Sequence, residues 1–180
     1  MTEEQYITAL TNNPHGIRNI PNPTEAMQLT CVGQNGMLLQ YIKEPSEVVQ
    51  LQAVQENYLA LRYINEPSVA VLEAAVKQDP QAMRQITNLS KELALYLFKV
   101  SAPILGYIPN TLGVTVDEIK AIIVEAISSD NIDVDYAREL INNKAIGGRQ
   151  SKWPIDLLSL IDAYGTRAVK KIAVGEYLKY

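Results

Sequence analysis

His15 and Cys31 are the one imidazole and the one thiol of this sequence, so nucleophilic or metal chemistry would have to be built around them. A reactive cysteine needs a neighbouring base or cation to make its thiolate, and a zinc site needs three or four His, Cys or carboxylate ligands. His15 stands in Asn13-Pro14-His15-Gly16, a turn with no second His or Cys beside it. Asp130, Asp133 and Asp135 loosely follow a calcium loop but lack its glycine and closing glutamate. Gly147-Gly148-Arg149 has neither the glycine spacing nor the Lys-Ser/Thr of a phosphate loop. The expectation is a chain without catalytic residues, metal site or cofactor, and therefore not an enzyme.

One chemical pattern remains. Arg18, Gln40, Arg62 and Arg84 recur at a fixed interval of 22 residues, and beside them run Asn19, Tyr41, Tyr63, Gln85 and Tyr107. Arg and Tyr are favoured at the energetic centres of protein interfaces, and the same groups contact phosphates. The candidate partner-binding residues are Arg18, Tyr41, Arg62, Tyr63, Arg84 and Tyr107. The plainer reading is that Tyr tops the core while Arg is solvated. Glu44, Glu56 and Glu66 share the neighbourhood, which weighs against nucleic acid.

Charge adds a second candidate set. The net charge is −4, too small to call for a polyionic partner of the whole molecule. Residues 1–130 hold 8 basic against 14 acidic residues, whereas 131–180 hold 8 against 6. The basic tail residues are Arg149, Lys152, Arg167, Lys170 and Lys171; with the Arg/Tyr stripe they make nucleic acid the alternative partner. A lone Cys allows no internal disulfide and points to a reducing compartment. No apolar run approaches the ~20 residues of a membrane span, so a cytoplasmic protein that leaves membranes alone is expected.

The elements that position these residues come from an internal repeat. KEPSEVVQLQAVQENYLALRYI (43–64) is followed without a gap by NEPSVAVLEAAVKQDPQAMRQI (65–86). PNPTEAMQLTCVGQNGMLLQYI (21–42) precedes them, TNLSKELALYLFKVSAPILGYI (87–108) follows, and residues 1–20 fit the same frame. Stepping by 22 aligns Ile20, Ile42, Ile64, Ile86 and Ile108. It also aligns Ile17, Leu39, Leu61, Met83 and Leu105; Leu10, Val32, Val54, Val76 and Phe98; and Gln5, Met27, Val49, Val71 and Leu93. Cys31 falls in a small-residue column with Ala9, Ala53, Ala75 and then Leu97, which suits a core position better than a nucleophile. Apolar columns at a fixed period are how stacked units share one core.

Polar columns punctuate the unit. Thr2, Thr24, Ser46, Ser68 and Ser90 stand where a hydroxyl can cap a helix, with Pro23, Pro45 and Pro67 before three of them. Glu3, Glu25 and Glu47 follow the cap, where negative charge suits the helix start. Asn13, Asn35, Asn57, Asp79 and Ser101 open a second, shorter helix that runs to the Ile column. One such hairpin buries too little to offset its ordering, so the units must stack.

The pattern P-S-x-x-x-x-x-x-A-V-x-x-[ND]-x-x-A-[LM]-x-x-I in 45–64 and 67–86 resembles the short helical repeat called domain of unknown function 4116. A looser similarity is to variant leucine-rich repeats, which also alternate a longer and a shorter helix. The first resemblance implies a bacterial or phage source and hands over no catalytic site. The iron–sulfur module found with some variant-repeat proteins needs a Cys cluster that this chain lacks.

After Ile108 the frame breaks. Residues 115–129 read as an amphipathic helix with Ile119, Ile122, Ile123, Ala126 and Ile127 inward, and Asp133 or Asp135 caps another. Ala145–Lys152 reads as a linker, Trp153-Pro154 opens a third helix and Thr166 a fourth. The expected fold is all-α: a right-handed α-solenoid of five 22-residue hairpins over 1–108, then a non-repeat helical cap over 109–180. The expected role is protein–protein interaction, as a virion or assembly component or a host-directed inhibitor, with a host or viral protein as partner. The location that goes with it is host cytoplasm or virion.

Overall fold

The computed structural model describes residues 1–147 and 150–178. The hydroxyls of Thr2, Thr24, Ser68 and Ser90 accept the amides of Gln5, Met27, Val71 and Leu93, each three residues on. These caps start α1 (Glu3–Asn12), α2 (Glu25–Val32), α4 (Val69–Gln78) and α5 (Lys91–Val100). Ser46 opens α3 (Glu47–Glu56) with the same extended backbone but accepts no amide; its hydroxyl donates to Glu25, as those of Thr24 and Ser68 do to Glu3 and Glu47. Gly33 closes α2 two residues earlier than its counterparts end, as a poor helix former should.

The second member of each hairpin is 3₁₀ rather than α. These helices are Pro14–Asn19, Gly36–Tyr41, Tyr58–Tyr63, Pro80–Gln85 and Ala102–Gly106. Each opens with an amide reaching back three residues, as Gly16 to Asn13, Leu38 to Asn35, Ala60 to Asn57 and Ala82 to Asp79. Three residues per turn bring positions three apart onto one edge, so Ile17 with Ile20, Leu39 with Ile42 and Leu61 with Ile64 form a single apolar ridge. Asn35, Asn57 and Asp79 add a side-chain bond from the amide two residues on.

The apolar columns are the core. Ile17, Leu39, Leu61, Met83 and Leu105 are buried, as are Leu10, Val32, Val54, Val76 and Phe98. Ile42 and Ile108 are buried, and Ile20, Ile64 and Ile86 are half-buried. Gln5 and Ala9 break their columns by being exposed. Among the described residues the only β pairing is an isolated bridge between Ile146 and Trp153.

The chain forms two compact units, Met1–Thr87 and Asn88–Tyr180. In the first, α1 packs on α2, α2 on α3 and α3 on α4, while the 3₁₀ helices of successive copies pack side by side. The second holds the fifth copy, a 3₁₀ turn Asn110–Leu112, and α6 (Val116–Ile127), α7 (Val134–Ile141), α8 (Leu157–Tyr164) and α9 (Arg167–Tyr177). Thr115 and Glu118 close a reciprocal capping box on α6, and Asp133, Asp156 and Thr166 cap α7, α8 and α9. The expected linker is tied down at its ends: the Trp153 amide donates to Ala145 and the Gly147 amide to Trp153. That bridge holds Trp153 outside the helix, so α8 begins at Leu157 rather than at Trp153-Pro154.

Candidate interaction surface

Arg18, Arg62 and Arg84 each occupy the fifth position of their 3₁₀ helix, and Tyr41 and Tyr63 the sixth. Because these helices lie side by side within the first unit, Arg18, Gln40, Arg62 and Arg84 form a row, with Asn19, Tyr41, Tyr63 and Gln85 alongside. The three arginines are exposed, Tyr41 is 42% exposed, and Tyr63 is half-buried. Arg18, Arg62, Tyr41 and Tyr63 make no hydrogen bond or ion pair with any described residue, whereas Arg84 and Tyr107 each engage a protein group. Tyr107 belongs to the second unit, where it is half-buried at the end of the fifth 3₁₀ helix. The structure thus gathers Arg18, Tyr41, Arg62, Tyr63 and Arg84 on one unit and leaves Tyr107 on the other.

Neighbouring copies in the first unit are joined by bonds that repeat from copy to copy. The hydroxyls of Thr24, Ser46 and Ser68 donate to the carboxylates of Glu3, Glu25 and Glu47 at 2.5, 2.6 and 2.5 Å, each joining a cap to the preceding copy. At the other end of the hairpin, Glu56 accepts the Gly36 amide at 2.5 Å and Gln78 accepts the Tyr58 amide at 3.3 Å. Pro14 and Pro80 occupy the same column and have no amide to satisfy. The side chains of Gln28 and Gln50 donate to the carbonyls of Pro23 and Pro45, both at 2.9 Å, and so fix the turn between copies. Gly36 lets two copies approach closely: a Cβ there would lie 2.2 Å from the Ala53 carbonyl oxygen. The glutamate column ends at Val69, so the last rung is Glu47 to Ser68. These polar rungs were visible as columns in the sequence, but their partners were not.

Two of the five basic tail residues, Lys152 and Lys170, are committed to backbone carbonyls. The Lys152 ammonium donates to the carbonyls of Ile108 and Gly106, and its pKa is lowered by burial. Beside it, the buried Trp153 indole donates to the Leu105 carbonyl at 3.0 Å. Lys170 donates to the Asp162 carbonyl at 2.7 Å. Arg167 and Lys171 are exposed and pair with no described residue. Arg149 lies outside the described residues.

The remaining chemical groups are structural. Cys31 is fully buried and its thiol is pushed up to about 11 by that burial, far from a reactive thiolate. Tyr136 packs on Phe98 with ring centroids 6.4 Å apart, and its buried hydroxyl is raised well above the usual phenol range by burial and then by Glu139 and Glu125. The Glu139 carboxyl is raised, first by desolvation, although it accepts the Ala102 amide. Among the described residues, no three His, Cys, Asp or Glu side chains gather as a metal site would need, and no helix is long and apolar enough to cross a membrane. Compared with protein-family models, curated proteins and solved structures, the chain finds no match in any of the three.

Proposed function

We propose that this chain is a non-enzymatic helical-repeat protein that binds another protein through the Arg/Tyr row of its first unit. The observation that carries the reading is that Arg18, Tyr41, Arg62 and Tyr63 stand on adjacent 3₁₀ helices and make no hydrogen bond or ion pair with a described residue. Arg and Tyr supply large contact area and directed hydrogen bonds once a partner excludes water. The architecture that goes with this reading is a right-handed α-solenoid of five hairpins over 1–108, closed by a cap over 109–180. Support for capping comes from within the second unit, where Lys152, Trp153 and Asn143 meet the carbonyls of Ile108, Leu105 and Ala102 of the fifth copy. The repeat's resemblance to domain of unknown function 4116 makes a bacterial or phage protein, as virion or assembly component or host-directed inhibitor, the setting we propose.

The test is capture from the native or infected cell by wild type and by Arg62→Ala/Tyr63→Ala, with both proteins checked for equal helicity and melting temperature. The reading expects the variant to lose the partner. Equal capture by a folded variant removes this surface from consideration. A salt titration against single-stranded DNA and RNA separates the nucleic-acid alternative. The expected result is no binding at low salt, since two of the tail cations are committed to carbonyls; steeply salt-dependent binding would favour the alternative.

A further inference from the structure

We infer that the partner of the first unit presents a short, extended acidic segment to the Arg/Tyr row; the inference rests on that row being the binding surface. Within Met1–Thr87 the elements form two layers, α1 to α4 packing on one another in order and the four 3₁₀ helices doing the same. The layers carry opposite charge. α1 to α4 hold Glu3, Glu4, Glu25, Glu47, Glu56 and Glu73 against Lys77 alone. The 3₁₀ helices hold Arg18, Arg62 and Arg84 and not one carboxylate. Four of the glutamates are also occupied, Glu3, Glu25 and Glu47 by hydroxyls of the next copy and Glu56 by the Gly36 amide. Arg18 and Arg62 are exposed and pair with no described residue, while Arg84 extends the row with a protein group already engaged. Of the unit's other charges, Asp79 is half-buried and accepts the Gln81 amide, and Lys43, Glu44 and Glu66 stand exposed in the turns between copies. Even with those turns counted, Arg18, Lys43, Arg62 and Arg84 outnumber Glu44 and Glu66 on this side.

Charge and spacing select the occupant. A guanidinium presents a fork of donors that matches a carboxylate, so unpaired arginines in a row call for carboxylates in a row. Helices packed side by side stand about 8–10 Å apart, which puts Arg18 and Arg62, two copies apart, roughly 16–20 Å from each other. An extended chain advances about 3.3 Å per residue, so about six residues bridge that gap. Six is an even number, and alternate side chains of an extended segment share a face, so both carboxylates meet the row together. Tyr41 and Tyr63 lie alongside to pack against the residues between them. A nucleic acid suits the surface less well, because its phosphates are continuous and would run over Glu44 and Glu66 as well as the arginines. A short segment meets the arginines without crossing the turns.

The experiment selects a display library of unconstrained random 12-residue peptides against the full-length protein at low salt. Enrichment of Asp and Glu paired about six positions apart is expected. A synthesised winner should lose about tenfold in affinity when its two acids become amides, and about tenfold against Arg18→Ala or Arg62→Ala. Glu44→Gln/Glu66→Gln should tighten it about threefold, an effect of charge that loss of packing does not produce. Each variant is first matched to wild type in helicity and melting temperature. No enrichment, acidic winners that bind Arg18→Ala and Arg62→Ala as tightly as wild type, or a 15-nucleotide oligothymidylate that binds more tightly than the winner would each overturn the inference. Neutral or basic winners that still need Arg62 and Tyr63 overturn it too, but leave the row as the binding surface. Capture of the native partner by Arg62→Ala/Tyr63→Ala removes the row itself, so the two failures are told apart.

Discussion

The two units make their long-range hydrogen bonds in opposite ways. In residues 1–87 five cross-copy bonds span 20 or 21 residues and recur, Glu3 to Thr24, Glu25 to Ser46, Glu47 to Ser68, Gly36 to Glu56 and Tyr58 to Gln78, beside a single one of 24, Gln34 to Leu10. In residues 88–180 the long-range side-chain bonds span 22 to 48 residues and none repeats: Lys91 to Gly113, Lys99 to Glu125, Asn142 to Glu176, Asn143 to Ala102, Lys152 to Gly106, Trp153 to Leu105. A repeat solves the problem once and copies the solution. In the second unit the carbonyls of Ala102, Leu105 and Ile108 are met by single side chains, Asn143, Trp153 and Lys152, each used once. The first unit should therefore tolerate change column by column, while the second should depend on single residues.

Trp153→Ala breaks the comparison hardest. It empties a buried site and leaves the Leu105 carbonyl bare, so a loss of about 3–5 kcal/mol is expected in urea denaturation. Far-UV circular dichroism is the probe, because Trp153 is the only tryptophan. Gly36→Ala comes next at roughly 1–3 kcal/mol, since the new methyl meets the Ala53 carbonyl backbone. Gly106→Ala, where no heavy atom lies within 4 Å of the added carbon, should change little. Ser68→Ala should cost about 1 kcal/mol. Added to Glu47→Gln, its effect should fall short of the sum, as it must if both residues form one rung. The smallest effect is at alkaline pH. Burial raises Cys31 from 9.0 to about 11, so folding favours the neutral thiol. Its contribution is complete below pH 9 and declines as pH rises toward 11. Cys31→Ala should flatten that part of a stability-versus-pH curve; an unchanged curve would mean the thiol is not held neutral.

Much of the first unit could be read directly. Hydroxyls at Thr2, Thr24 and Ser68 cap helices, and the apolar columns are buried, because capping and burial act locally on residue type and period. The 3₁₀ form of the second helices was missed, since six residues between an Asn or Asp and an Ile suit either helix and the choice falls to packing. That the Thr24, Ser46 and Ser68 hydroxyls donate to glutamates 21 residues earlier was also out of reach, because it depends on neighbouring copies. The stripe Arg18, Arg62, Arg84 was legible as a column; that Arg84 and Tyr107 are engaged and Arg62 and Tyr63 are not required coordinates. In the second unit, Lys152 looked like one more surface cation until Ile108 and Gly106 were found beneath it.

Deleting one whole copy, residues 43–64, tests the shared-interface claim most directly. The deletion places Ser68 against Glu25, the Gln78 carboxamide against the Gly36 amide and Ala75 where Ala53 stood, so every rung re-forms one register along. The account predicts a folded protein with the same helicity per residue and a cooperative melt, beside a chain lacking only 43–53 that does not fold. Equal loss of helicity in both deletions would contradict it, because the copies would then not be interchangeable.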